Sequence, residues 1–240
     1  MKRAERHHLK ENELEKFARQ AREAFQARQR GAMAALVVVG VISVVAIGYW
    51  AWREREQTRA HALLADAIAV QSARVGPPAA TGAGGTPSFA TERDRSAAAL
   101  TKFKAAADAY PLTDTGLFAG YQEASTLMVL GRAPEAATAY QRVIDRSAGG
   151  LYGQMARLGL AEAQARAGQY DQAITAFKEL AQRKDGPLPI DGILMQLGRA
   201  YRDAGKRSDA QQTFNRLVEE YPESPFTGEA KRELDSLKKT

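Results

Sequence analysis

The chain has no cysteine among its 240 residues, so no disulfide, thiolate metal site or cysteine nucleophile can be built from it. Histidine is nearly as scarce. His7 and His8 are neighbours and His61 stands alone, which argues against a histidine-based metal site. Neither G-x-S-x-G nor H-E-x-x-H occurs, and no His/Asp cluster is close in sequence, so no nucleophile, base and orienting group come together. The paired carboxylates, Glu219 with Glu220 and Glu92 with Asp94, fall on faces that water covers. These shortages argue against an enzyme, a metal centre and a bound cofactor. Strand signals are also missing. Val and Ile are sparse outside one stretch, apolar and polar residues do not alternate, and alanine is abundant, so the expected fold class is all-α.

Charge of one sign is concentrated rather than spread. Residues 1–31 hold nine Lys/Arg and five Asp/Glu, a net +4 out of the total +6. The rest of the chain is close to neutral and has no basic stripe interleaved with aromatics, which excludes a nucleic-acid surface.

Gly31–Trp52 lacks charge altogether, 22 residues in a row, and Ser43 is the one clearly polar side chain in its apolar centre. A helix of that length spans roughly 33 Å, against a hydrocarbon core of about 30 Å. It has no polar face for a soluble core, and Tyr49, Trp50 and Trp52 crowd the far end as interfacial rings do. The reading is a transmembrane helix in contact with a lipid bilayer. It is expected to be retained, because 30 residues precede it, the apolar run is too long for a signal peptide, and no small-residue cleavage site follows. Lys16, Arg19, Arg22, Arg28 and Arg30 lie before the span, and Arg53, Arg55 and Arg59 after it. The excess on the first side predicts an N-terminus in the cytoplasm and a C-terminal part outside it, in the periplasm for a bacterial inner membrane. Gly40 and Gly48 stand eight apart, so no close-packed helix-pair motif marks the span and the oligomeric state is left open.

The expected organisation is a basic amphipathic helix over 1–30, the span over 31–52, a helix with a linker over 53–91, and a repeat domain over 92–240. In the first, Leu14, Phe17, Ala18, Ala21, Ala24 and Phe25 make one narrow apolar stripe, suited to a solvated helix or to one lying on the inner leaflet. Beyond the span, Leu63, Leu64, Ala67 and Ile68 share a helical face. Val75–Thr91 is rich in Pro, Gly and Ala and reads as the linker; no strand precedes its glycines and no Gly-Lys-Ser/Thr follows them, so it is no phosphate loop. Thr91 followed by Asp94 reads as a helix start.

From there the chain repeats. Gly131, Gly168 and Gly205 are 37 residues apart, each followed after five residues by Ala136, Ala173 or Ala210, and four later by Tyr140, Phe177 or Phe214. Ala99, Phe103, Ala106 and Pro111 form an earlier half-copy. Glycine ends a first helix, the small alanine lets a second pack closely, and the aromatic fills the gap to the next pair, the signature of a helical solenoid. Ser224-Pro225 opens a closing helix to about Lys238 whose charged face shields the end of the stack.

The last copy, Leu197-Gly198-x-x-Tyr201 with Ala210, Phe214 and Pro222, resembles the tetratricopeptide repeat (TPR) pattern W-x-x-L-G-x-x-Y…A-x-x-x-F…P. The period is longer than the usual one, with extra residues at Asp145–Gly150 and Arg183–Ile190, and the Trp position carries Gly120, Arg157 and Leu194. A basic N-terminus, one anchor and a run of such repeats together resemble the YfgM-type ancillary subunits of the SecYEG translocon. That resemblance implies a periplasmic TPR domain acting as an accessory or chaperone-like subunit, with SecYEG, periplasmic chaperones or unfolded exported chains as protein partners. A scaffold for cell-division coordination or outer-membrane assembly is the alternative it leaves open.

In a TPR stack the first helix of each pair lines the concave surface. By register that places Phe118, Tyr121, Ser125 and Met128, then Met155, Leu158, Glu162 and Ala165, then Gly192, Met195, Arg199 and Arg202 along one row. The row either completes the core or forms a protein-binding groove in which methionines accept varied apolar partners. It has no Asn, which argues against capture of an acidic C-terminal tail in the manner of some TPR clamps.

Overall fold

The computed structural model describes residues 4–76, 88–183 and 186–239, with side chains from Met33 to Lys238. Two compact units are present, Met1–Arg55 and Glu56–Thr240. Helix α1 (Ala4–Gln71) supplies the first unit and enters the second. The apolar stripe expected over 14–25 lies outside the described side chains. From Met33 to Trp52 the large apolar side chains of α1 are all exposed, from 56% at Trp52 to 72% at Leu36. This is the one helix among the described residues long and apolar enough to cross a membrane. Its polar exception is satisfied internally, since the Ser43 hydroxyl donates to the Val39 carbonyl at 2.8 Å.

In the second unit, the last turns of α1 pair with α2 (Glu92–Ala109). Two short parallel strands, β1 (Arg74–Val75) and β2 (Ser88–Phe89), pin the two ends of the connection between these helices. Three hairpins follow: α3 (Asp114–Val129) with α4 (Ala133–Arg146), α5 (Leu151–Arg166) with α6 (Tyr170–Ala181), and α7 (Ile190–Asp203) with α8 (Arg207–Glu220). Helix α9 (Thr227–Lys239) closes the stack.

Local chemistry explains the boundaries. Thr91 caps α2, its hydroxyl oxygen accepting from the Asp94 amide at 3.1 Å. Gly131, Gly168 and Gly205 have φ of +76°, +77° and +74°, the left-handed conformation that a Cβ penalises. Each is followed by the same closing bond: Arg132 N–H to Leu127 O, Gln169 N–H to Gln164 O, and Lys206 N–H to Tyr201 O, at 2.8–2.9 Å. At the closing helix Ser224 acts one turn early. Its Oγ accepts from Phe226 N–H and donates to Asp191, and the helix begins at Thr227.

Packing follows the repeat. Ala99, Ala136, Ala173 and Ala210 are each fully buried, and Phe103, Tyr140, Phe177 and Phe214, also 37 residues apart, are the aromatics beneath the hairpins. At one end, Ala67, Val70, Ala99, Phe103 and Ala106 share a cluster. At the other, Phe177, Leu194, Met195, Phe214 and Leu217 share one with Ala230, Leu234 and Leu237 of α9. No hairpin buries its apolar face alone. One expectation is corrected: the buried face of α1 is Ala60, Ala67 and Val70 with Leu64 partly covered, while Leu63 and Ile68 are exposed. Small side chains allow closer approach to α2 than the larger pair would, and Lys102 reaches across to Asp66 at 2.6 Å.

Candidate binding surfaces

The expected inner row divides into two parts. In the first, Phe118, Tyr121, Ser125, Met155, Leu158, Glu162 and Ala165 are half-buried. The ring of Phe118 lies 5.7 Å from that of Tyr152 on α5, and the ring of Tyr121 lies 5.6 Å from that of Tyr140 on α4, both tilted. Gly159 makes room for Tyr140: a Cβ there would stand 2.4 Å from the ring. The Ser125 side chain lies near the Tyr140 phenol and favours its ionised form.

This end of the row is electrostatically tense. Burial pushes the Tyr140 phenol up, as do the nearby Tyr121 and Glu162, against the opposing effects of Ser125 and Arg166. Burial also raises Tyr121, with Glu162 adding to it. The Glu162 carboxyl is itself raised by burial, which outweighs Arg166 and Arg199. The patch therefore offers aromatic area and phenol hydroxyls around one carboxylate, an arrangement suited to holding a polypeptide.

The second part is occupied from within. Met195 is fully buried in the core and Met128 is only 9% exposed, so neither presents a methionine surface. Arg199 pairs with Glu229 and Arg202 with Glu233, both on α9. The Arg202 guanidinium is held charged by Asp203 and Glu233 together. Gly192 faces Phe226, whose ring would lie 3.5 Å from a Cβ there. The last third of the row thus meets the closing helix, which register alone does not reveal.

The opposite face carries a feature the sequence reading missed. Clefts recur between successive second helices, lined by residues at equivalent repeat positions. Gly120, Arg157 and Leu194 line the three copies, as do Glu123, Leu160 and Leu197, and Arg142, Glu179 and Arg216. Their volumes differ sharply, about 10 Å³ in the first hairpin, 510 Å³ in the second and 220 Å³ in the third. In the first, the buried Glu123 accepts from Arg142 at 2.8 Å and seals the space. In the third, Leu194 and Tyr201 stand at its wall and narrow it. The second has polar residues at both positions, Arg157 and Gln164. The visible signal was Arg157 standing where the repeat pattern wants Trp, with Gln164 in the place of the signature Tyr.

A family model, the tetratricopeptide repeat-like domain, matches residues 23–238. No curated protein matches the chain. Among solved structures, the chain is similar to the nearly identical TPR-like repeats of a kinesin light chain protein from Podosopora anserina, in its native form and as a point variant. The TM-scores are 0.56 and 0.57 at 14% identity, covering 75% of this chain and 85% or 84% of those. At that identity the likeness is one of fold.

Proposed function

Because the chain belongs to the tetratricopeptide repeat-like domain family, we propose that it is a single-pass membrane protein whose repeats hold other proteins at a membrane surface. The observation that carries this reading is the half-buried inner row of Phe118, Tyr121 and Met155, with Tyr152 against Phe118, on the face where repeat hairpins present their first helices. Aromatic rings at half exposure give contact area to a partner at little ordering cost. Gly31–Trp52 anchors the chain in a bacterial inner membrane, the N-terminus is cytoplasmic, and the repeats stand in the periplasm. The excess of basic residues before the span supports that orientation. The role is that of an accessory, chaperone-like subunit at the Sec translocon, meeting exported chains or the chaperones that receive them.

Photocrosslinkers at Tyr121 and Met155, with controls at the exposed Thr138 and Asn215, test the inner row. Crosslinks to polypeptide concentrated at the first pair are expected, and equal yields from both pairs would remove the reading. Recovery of SecY from mild detergent supports the translocon role, whereas recovery of division or outer-membrane assembly proteins in its place would reassign the scaffold.

A further inference from the structure

We propose that the open cleft of the second hairpin, on the face opposite the inner row, seats a tyrosine side chain of a partner polypeptide, beside the position where the third hairpin carries its own Tyr201. The inference goes beyond the proposed function, which rests on a different face. Gln164 and Tyr201 occupy equivalent positions 37 residues apart, and so does the buried Leu127 of the first hairpin. Two hairpins therefore place a large side chain at this position, and the second leaves a cleft of about 510 Å³, within the range that ligand pockets have.

The chemistry of the vacancy selects the occupant. Gln164 lines the cleft, and its Oε1 is buried with no hydrogen-bond partner among the described residues. Buried acceptors left unmade are rare and unfavourable. A phenol O–H entering the cleft would donate to that oxygen once the Gln164 side chain turns it toward the opening. With the amide turned the other way, the same phenol oxygen would accept from the nitrogen, so tyrosine satisfies either orientation and phenylalanine neither. The floor, Ile144, Leu160 and Leu180, takes the ring. At the rim, Arg157 and Arg183 make no ion pair among the described residues; of the two acids that line the cleft, Asp171 is held by Lys206 at 2.6 Å and Glu179 is the other. Two guanidinium groups against the one carboxylate of Glu179 leave an excess of positive charge beside the cleft, which favours acidic residues next to the incoming tyrosine.

The test pans a phage-displayed library of random dodecapeptides over the full chain in detergent micelles, with Q164Y and Tyr121→Ala as parallel baits. The native chain is expected to enrich tyrosine flanked by acids, and recovery is expected to fall roughly tenfold on Q164Y. That variant should melt no lower than the native chain, since Tyr201 shows that the fold accepts the side chain. Should Q164Y fail to fold, Q164L copies the Leu127 solution and is expected to erase the preference for tyrosine over phenylalanine. Absence of tyrosine enrichment, or equal recovery on Q164Y, overturns the inference. Recovery lost on Tyr121→Ala but kept on Q164Y also overturns it, and leaves the inner-row reading standing.

Discussion

At the scale of single residues, two contacts carry testable consequences. A Cβ at Gly198 would lie 2.4 Å from the ring of Phe214, which is fully buried and has no free side to move into. Gly198→Ala is therefore expected to destabilise the repeat domain by about 1–3 kcal/mol, read as a lower denaturant midpoint. Glu162 acts in the opposite sense. Its carboxyl is raised above the ordinary value by burial, so folding favours the protonated form. The ionised group opposes folding at pH above its folded-state pKa, and that opposition fades as pH falls through it. Glu162→Gln, neutral at every pH, is expected to be more stable than the native chain at about pH 8, by roughly 1 kcal/mol or less, and to lose that advantage near about pH 4, where the unfolded carboxyl also protonates. Thermal melts of both chains across that range check the sign.

At the scale of elements, α9 shows which force holds a helix in place. It buries Ala230, Leu234 and Leu237 against the last hairpin and adds two partly exposed ion pairs, Arg199 with Glu229 and Arg202 with Glu233. Truncating a buried leucine costs about 2 kcal/mol or more, whereas pairs of this exposure contribute about 0–1 kcal/mol each. Leu234→Ala is expected to loosen α9 more than Glu233→Gln, measured by hydrogen exchange over Thr227–Lys239; a larger effect of the glutamate change would reverse that ranking. The hairpins themselves were legible because glycine, alanine and aromatic recur at a fixed spacing, and their conformational and packing reasons are local. The row on the first helices was only half legible. Arg199 and Arg202 meet acids about 30 residues away, and Met195 turns into the core, facts set by how α7 meets α9 and not by register along α7. On α1 the Leu63, Leu64, Ala67, Ile68 pattern fits a helical face, yet Ala67 and Val70 won the contact with α2. The outer cleft announced itself only through departures, Arg157 and Gln164, whose effect appears once neighbouring hairpins are compared.

At the scale of the whole molecule, the absence of cysteine becomes an experimental asset. Single cysteines at Lys238 and Glu5 can be introduced into an otherwise thiol-free chain. With the outer membrane permeabilised, an impermeant maleimide is expected to label Lys238→Cys at once and Glu5→Cys only after the inner membrane is lysed. Labelling in the reverse order would invert the proposed orientation. A stack built from similar hairpins also carries a hazard, because the outer side of its final hairpin, if left uncovered, resembles a side that accepts one more unit, including the first unit of another copy. Leu217 and Phe214 on that side are sealed by α9, which turns Glu229 and Glu233 onto the arginines and leaves Lys231, Arg232, Asp235 and Lys238 exposed. Such a heterologous contact, once open, has no symmetry to close it and propagates. A chain cut before Thr227 is therefore expected to join end to end into filaments, where the full chain does not.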